Sequence, residues 1–372
     1  MRRILTTLTI ATAVVLTALP AHADEVRDSQ WPLEKLHADE IWKLSQGQSV
    51  TVAVVDTGIN ANHPDLAGQV LPGKDFILDG PSDCRTDPGG HGTAMGALIA
   101  GRNDDVDGIA GLAPKAKLLP LCMLGSANPV SMRKAIRYAV DHGAKVINIS
   151  LGSDKPRTRD FVETAYEEAV RYAYAKNVVI VASAGNTGNT TNVREYPSSF
   201  PGVVTVAAVD ENGQVPPYSQ HGPQVVLAAP GERVPSIGFE GKVDVAGGTS
   251  NAAAHTSATA ALVFAKYPHL TAGQVINRLI KTTTRSQAGQ PRNPYTGFGI
   301  INPKAALDPA FQDTPQPGNP LNPPGSTWPS GYVEARPTPP EQPRKPWWPW
   351  LLPVIGIAAG MSALLIRRRR TR

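Results

Sequence analysis

Three short glycine-flanked segments carry side chains that together could transfer a proton and attack a carbonyl carbon. Asp56 ends an apolar run, His91 stands between two glycines, and Ser250 follows a Gly-Gly-Thr segment at the head of an alanine-rich stretch. A serine hydroxyl is a weak nucleophile that needs an adjacent base, and a carboxylate that orients the base completes such a site. Taken singly, each residue has an ordinary interpretation: a turn-capping acid, a loop histidine and a helix N-cap serine.

The order of these residues along the chain favours the catalytic interpretation over the three ordinary ones. Acid, then histidine, then serine is the order found in subtilisin, whereas unrelated serine peptidases use other orders. The sequence resembles the subtilase family in five blocks that follow the family's order: Val55-Asp56-Thr57-Gly58, His91-Gly92-Thr93, Asn148-Ile149-Ser150-Leu151-Gly152, Ala182-Ser183-Ala184-Gly185-Asn186 and Gly248-Thr249-Ser250.

The resemblance implies a catalytic role for four residues. Ser250 would be the nucleophile, His91 the general base and Asp56 the group that fixes the imidazole. Asn186, together with the backbone N–H of Ser250, would donate to the oxyanion. Substrate-binding positions follow in the same way: Ser150, Leu151 and Gly152, which would add the peptide as a strand, and Ser183, Ala184 and Gly185.

The serine block departs from the family at one position. Subtilases usually have a proline four residues after the serine, where this chain has Ala254, and Asn251 follows Ser250. That proline shapes the start of the helix and transfers no proton, so we expect activity to survive its replacement.

Apolar runs of strand length predict the elements that position these residues. Runs beginning near residues 50, 117, 145, 178, 203 and 225 lack polar alternation, which is typical of parallel strands covered on both faces. Helical patterns lie between them, at 130–142 and 160–176, and Thr271 with Gln274 forms a predicted capping box. The fold class is therefore α/β: a three-layer domain over 50–308 with a mainly parallel central sheet, which the resemblance makes subtilisin-like.

Both ends of the chain carry membrane-topology signals. Residues 1–23 have a basic start, an apolar stretch and an Ala-His-Ala cleavage site, which predicts a signal peptide. Residues 347–366 are uncharged and long enough for one transmembrane helix, and the basic segment 367–372 predicts a cytoplasmic tail. Between domain and span, the Pro-rich segment 309–346 predicts a stalk. Residues 24–49 are too few for a folded inhibitory pro-domain, so we expect an N-terminal arm.

The distribution of charged residues, histidines and cysteines indicates which ligands and which covalent cross-link to expect. The formal net charge of +5 comes from the ends, because residues 24–366 hold 29 basic and 31 acidic residues. No basic stripe is present, so we expect no nucleic-acid partner. The histidines, and Asp104, Asp105 and Asp107, lack metal-ligand spacing, so no metal or cofactor is expected. Cys84 and Cys122 in an exported domain predict a disulfide, with two free buried thiols as the alternative.

The combination of segments points to a narrower family. A subtilase domain with a signal peptide, a Pro-rich stalk and one span resembles the mycosins, and so do three shorter stretches: Gln30-Trp31-Pro32-Leu33, Gly111-Leu112-Ala113-Pro114 and Tyr295–Asn302. The resemblance implies a membrane-anchored, extracytoplasmic endopeptidase that cleaves exported proteins and has type VII secretion components as candidate partners. The alternative is a subtilase-like scaffold that stabilises a secretion complex with little or no turnover.

Overall fold

The computed structural model describes most of the chain between residues 25 and 321. The described ranges are 25–77, 80–102, 108–123, 129–152, 159–284, 292–315 and 318–321, without the side chains of 25 and 159–165. All of them belong to one compact unit. The predicted signal peptide and transmembrane helix lie outside the described residues, as does most of the predicted stalk. Within the described part, no helix is long and apolar enough to span a bilayer.

A seven-stranded parallel sheet forms the centre of the domain. Its strands, in the spatial order β2-β3-β1-β4-β5-β6-β7, are β1 Thr51–Asp56, β2 Lys74–Asp75, β3 Lys117–Cys122, β4 Val146–Ile149, β5 Val179–Ser183, β6 Val204–Val209 and β7 Leu227–Pro230. The six apolar runs of the sequence overlap β1 and β3 to β7, whereas no run predicts the two-residue strand β2. The predicted α/β fold with a mainly parallel sheet is confirmed.

Helices cover both faces of the sheet. They are α1 Glu25–Ser29, α2 Trp31–Lys35, α3 Ala38–Ile41, α4 His91–Ala100, α5 Pro129–Asp141, α6 Arg159–Ala175, α7 Thr249–Lys266, α8 Ala272–Lys281 and α9 Pro303–Ala306. Successive side chains of a strand point to opposite faces. In β1, Val52 and Val54 accordingly belong to the apolar cluster that includes residues of α4, α7 and α8, whereas Ala53 and Val55 belong to the cluster that includes residues of α5 and α6. The predicted capping box, Thr271 with Gln274, opens α8.

The order of the strands in the sheet reverses at β1, and this reversal forms a crevice at the carboxyl ends of the strands. After β1 the chain adds β2 and β3 on one side, and then β4 to β7 on the other. Open α/β sheets form their ligand sites at such a reversal, beyond the carboxyl ends of the strands. Asp56 ends β1, and Ser150 follows β4 directly, so both lie at this reversal.

The segment before β1 folds against the domain. Leu33 and Ile41 are fully buried in the main apolar cluster. The side-chain amide of Gln30 donates to the carbonyl oxygen of Ala110 and accepts from its N–H, both at 2.9 Å. Ser45 Oγ donates to the carbonyl oxygen of Leu262. These contacts fix the arm on the layer that contains α7.

Residues after α9 are also held on the domain. The guanidinium of Arg278, almost fully buried, pairs with the carboxylate of Asp313 and donates to the carbonyl oxygens of Ala306 and Asp308. Asn319 Nδ2 donates to the carbonyl oxygen of Gly202. The described start of the Pro-rich segment is therefore attached to the domain.

An antiparallel hairpin packs against α4 and leads into α7. Its strands are β8 Val234–Ile237 and β9 Val243–Ala246. No pattern in the sequence predicts this hairpin, because both strands are short and β8 contains Pro235. Residues 247–248 connect β9 directly to the first turn of α7, so the hairpin sets the approach of the chain to Ser250.

Candidate active site

The carboxylate at the end of β1 contacts the imidazole at the start of α4. Asp56 is fully buried, and its Oδ1 accepts a hydrogen bond of 2.7 Å from His91 Nδ1. The backbone N–H of Thr57 donates to the same oxygen at 2.8 Å. Because a carboxylate only accepts, Nδ1 carries the hydrogen and Nε2 is the basic nitrogen.

Two further side chains hold the backbone around the histidine. Thr57 Oγ1 accepts from the N–H of Gly92 at 3.0 Å. The carboxylate of Asp87 accepts from the N–H and the hydroxyl of Thr93, at 2.8 and 2.7 Å, and thereby satisfies free donors in the first turn of α4. Asp87 was not predicted from the sequence, since it lies four residues before His91 and outside the usual N-cap spacing.

Charges around the imidazole change its basicity. Burial of the ring lowers the pKa of His91, but the charge and hydrogen bond of Asp56 and the charge of Asp87 raise it by more. The pKa of His91 therefore lies above its ordinary value of 6.5. The cationic imidazolium, the form that arises during general-base catalysis, is thus stabilised.

The serine hydroxyl lies beside the segment that follows β4. Ser250 is the second residue of α7 and is buried. Its Oγ donates a long hydrogen bond of 3.4 Å to the carbonyl oxygen of Ser150. In the described part of the chain, this hydroxyl makes no direct hydrogen bond to the imidazole of His91. Such bonds are often long without substrate and shorten when substrate binds.

Two N–H donors border one small space next to the serine. Asn186 follows β5, and its Oδ1 accepts from the N–H and the hydroxyl of Thr249, both at 2.9 Å. The Thr249 hydroxyl itself accepts from Gly185 N–H at 3.1 Å. A Cβ built on Gly248 would lie 3.7 Å from Asn186 Nδ2 and 3.8 Å from Ser250 N. Both donors therefore face the space beside Gly248, where an oxyanion could sit.

The predicted substrate-binding residues form two neighbouring segments. β4 and β5 pair in parallel, with Ile149 opposite Ala182. Consequently Ser150, Leu151 and Gly152, after β4, lie beside Ser183, Ala184 and Gly185, at the end of β5 and after it. The structure brings all six residues to the same edge of the sheet as Asn186.

Asn251, which follows the serine, has a positional role that the sequence did not reveal. Its Nδ2 donates to the carbonyl oxygens of Ala246 and Gly231, at 3.1 and 3.3 Å, and Gly248 N–H also donates to Gly231 at 2.8 Å. These bonds fix the loop between β9 and α7. Ala254, at the position where subtilases usually have proline, is fully buried within a continuous helix.

His255 plays no part in this arrangement. The side chain is buried, as expected of a packed helix residue, and its Nδ1 donates to the carbonyl oxygen of Pro230 at 3.0 Å. Burial lowers the pKa of His255 to about 4, so the ring stays neutral near neutral pH.

A disulfide supports the region behind Asp56. Cys84 and Cys122, the predicted pair, are joined with an S–S distance of 2.07 Å. Cys122 is the register partner of Asp56 in the sheet, and the carbonyl oxygen of Cys84 accepts from the N–H of Ile59. The bond therefore ties the loop that leads to His91 to the strand beside Asp56.

Comparison with known proteins places this site in a family. The model of the subtilase family of peptidases matches residues 47–299, more than half of the chain. The chain belongs to the subtilase family. This subtilase is 34% identical to Mycosin-1 of Mycolicibacterium smegmatis over 344 residues, which cover 78% of this chain and 75% of Mycosin-1.

Solved structures agree with this assignment. The crystal structure of MycP1 with its N-terminal propeptide removed superposes with a TM-score of 0.69 at 36% identity, covering 77% of this chain and 98% of MycP1. The MycP3 protease from the type VII (ESX-3) secretion system gives a TM-score of 0.63 at 32% identity, covering 78% of this chain and 90% of MycP3. The subtilase is thus a serine-type endopeptidase related to the mycosins.

Proposed function

We propose that this subtilase cleaves exported protein substrates at the outer face of a membrane, with Asp56, His91 and Ser250 as its catalytic triad. The observation that carries the proposal is the 2.7 Å hydrogen bond between the buried carboxylate of Asp56 and His91 Nδ1. This bond leaves Nε2 as the proton acceptor at the crevice, on the same sheet edge as Ser250.

The reaction follows from the positions of the donors and acceptors. On substrate binding, the hydroxyl of Ser250 turns from the carbonyl oxygen of Ser150 to His91 Nε2, which takes its proton as Oγ bonds to the scissile carbonyl carbon. Negative charge develops on the carbonyl oxygen, which accepts from Asn186 Nδ2 and Ser250 N. The C–N bond then breaks, and the leaving amine takes the proton from His91. Water hydrolyses the acyl-enzyme by the same steps, with His91 again as base.

The proposed location and partners rest on the two ends of the chain and on the relatives. Residues 1–23 have the features of a signal peptide, and 347–366 followed by 367–372 have those of a single span with a cytoplasmic tail. Similarity to MycP3, a protease from a type VII secretion system, supports a link between this subtilase and such an apparatus. Exported proteins that pass the membrane beside it are the proposed substrates.

The test of the triad is covalent labelling of the full chain with a fluorophosphonate, which reacts with activated serines. Wild type is expected to be labelled, and Ser250→Ala is not. Ser257→Ala serves as the matched control, because Ser257 is a buried serine of the same helix that is hydrogen-bonded to Asn148 Oδ1. The Ser257→Ala variant should still be labelled, at Ser250. Labelling of Ser250→Ala at the wild-type level, or no labelling of folded wild type, would contradict the proposal.

A second measurement tests location and role in cells. External protease should remove the domain from intact cells and leave a C-terminal epitope protected. Substrate processing should stop in cells that carry Ser250→Ala. Normal processing and normal secretion in that strain would favour the scaffold function instead.

A further inference from the structure

Six strands of the parallel sheet begin at a basic edge. Because β1 and β3 to β7 run in the same direction, their first residues lie at one edge of the sheet. The four residues before each of these strands lie in the described chain and, with the first strand residue, contain four lysines and no acid. These residues, here called the lysine edge, are Lys115, Lys117, Lys145 and Lys176. They come from three separate connections, so only the fold brings them together.

The strand register sets the spacing of the lysines. Lys117 is the register partner of Thr51, and on the other side of β1 the N–H of Lys145 donates to the carbonyl oxygen of Thr51 at 2.9 Å. Lys117 and Lys145 are therefore two strand spacings apart, roughly 10 Å. On the next strand, the N–H of Val179 donates to the carbonyl oxygen of Lys145, and Lys176 lies three residues before Val179. The lysines thus form a row across β3, β1, β4 and β5.

The positive charge of this row is not neutralised within the described chain. Lys115, Lys145 and Lys176 are exposed, and their ammonium groups form no ion pair or hydrogen bond with described residues. Lys117 Nζ donates to two oxygens, both of neutral groups. The row therefore keeps its charge and is free to attract an anionic surface.

The opposite edge of the sheet carries acids. Asp56 ends β1, Asp210 and Glu211 directly follow β6, and Glu232 lies two residues after β7. These acids lie at the carboxyl ends of the strands, the same edge as the crevice that contains Ser250. An anionic surface would therefore attract the lysine edge, repel the acidic edge and turn the crevice away from itself.

A cavity opens beside one end of the lysine edge. Its volume is about 520 Å³, and its lining includes Trp42, Arg102, Lys115 and Lys117. Cations that converge on a concave surface can bind a phosphate group through charge-assisted hydrogen bonds. Tryptophan is enriched where proteins meet the headgroups of a bilayer. The cavity therefore has the chemistry of a site for the phosphate of a lipid headgroup.

The described chain ends at the same edge of the sheet. Asn319 Nδ2 donates to the carbonyl oxygen of Gly202 at 3.0 Å, and Gly202 lies two residues before β6. Residues 322–346 then lead to the predicted span at 347–366. A Pro-rich segment of this length lets the lysine edge reach the bilayer, and each lysine near an anionic lipid surface adds to the attraction.

We infer that the lysine edge docks the domain on an anionic lipid surface, with the crevice facing away from the bilayer and towards exported proteins. The inference rests on the proposed function, because it requires the domain to be tethered outside a membrane. An acidic protein surface is the competing occupant, so the test supplies lipid and no other protein.

The test uses the full chain in nanodiscs of phosphatidylcholine alone or in an equal mixture with phosphatidylglycerol. Lysines are acetylated with a water-soluble reagent, and each site is quantified by mass spectrometry. Lys115, Lys145 and Lys176 should react about fivefold more slowly in the mixed discs, and high salt should remove the difference by screening the charges. Lys242, an exposed lysine of the hairpin that leads to Ser250, should react equally in both kinds of disc.

Replacement of Lys115, Lys145 and Lys176 by glutamine tests whether their charges cause the protection. In that variant, Lys117 should react in mixed discs within about twofold of its rate in neutral discs. The matched control variant replaces three exposed lysines outside the lysine edge and should retain the protection; these are Lys35, Lys242 and Lys281.

The outcomes separate this inference from the proposed function. Equal acetylation of the lysine edge in both kinds of disc, or equal protection of Lys242, would overturn the inference. Protection of Lys117 that survives the triple substitution would overturn it too. None of these results affects the triad, which fluorophosphonate labelling tests separately. If the full chain is not retained in the discs, the predicted span and the proposed location fail first.

Discussion

The substitution Thr249→Val tests whether the orientation of Asn186 matters for turnover. The hydroxyl of Thr249 donates to Asn186 Oδ1 at 2.9 Å and accepts from Gly185 N–H at 3.1 Å, and the residue is fully buried. Valine has nearly the same shape but loses both bonds. The backbone bond from Thr249 N–H to Asn186 Oδ1 remains, so the amide keeps one of its two anchors.

Two magnitudes follow from these contacts. In subtilisin, removal of the oxyanion-hole asparagine is known to lower turnover by about 10²–10³-fold. Because Thr249→Val only loosens Asn186, we expect kcat to fall by about tenfold, with KM changed less than about twofold. The buried N–H of Gly185 also loses its acceptor, which should lower the free energy of unfolding by about 1–3 kcal/mol.

The assay is steady-state cleavage of a fluorogenic peptide, with denaturant unfolding measured in parallel. Thr256→Val is the matched control, since Thr256 is a buried threonine of the same helix whose hydroxyl donates to the carbonyl oxygen of Ala252. It should lose some stability and keep wild-type kcat. Full kcat in Thr249→Val, together with a loss of about 100-fold or more in Asn186→Ala, would contradict this prediction. An equal loss of kcat in Thr256→Val would contradict it as well.

Three further predictions concern charged groups. In the proposed reaction the neutral form of His91 is the base, and the pKa of His91 is raised above 6.5, so kcat/KM should fall as the pH drops through a pKa above that value. Asp87→Asn removes one of the charges that raise this pKa, so the acid limb of the pH profile should move to lower pH, and an unmoved limb would contradict the assigned cause. Arg278→Gln should lower the free energy of unfolding by about 3–5 kcal/mol, because it breaks a nearly buried pair with Asp313. Arg171→Gln, which breaks an exposed pair, should cost at most about 1 kcal/mol, and equal losses in urea unfolding would count against the buried-pair argument.

Local patterns were sufficient to predict several parts of the structure. Continuous apolar runs such as 51–56 predict buried parallel strands, because such strands are covered on both faces and need no polar alternation. The capping box at Thr271 and Gln274 follows from a spacing of three residues within one turn. The helix start at His91 and the buried state of His255 follow from equally local reasoning.

Features built from distant residues were not predictable in this way. Asp87 contacts Thr93 through a turn whose shape the sequence does not specify. The β8–β9 hairpin consists of two four-residue strands, one of them with a proline, so no periodic signal is strong enough to reveal it. Glu195 lies nine residues beyond Asn186, and its approach to Gly152 depends on the fold of the loop between them.

The sequence by itself determined the chemistry: which acid, imidazole and hydroxyl could act together, in which order they occur, and that a parallel sheet holds them. These are properties of residue type and local periodicity, which act over a few neighbours. Only the tertiary structure decided the distances, because each joins loops from different strands. In the folded chain, Asp56 Oδ1 lies 2.7 Å from His91 Nδ1, and the Ser250 hydroxyl donates to the carbonyl oxygen of Ser150. The carboxylate of Glu195 lies between Gly152 and Gly185. Packing of strands and helices determines where those loops end, and no short stretch of sequence contains that information.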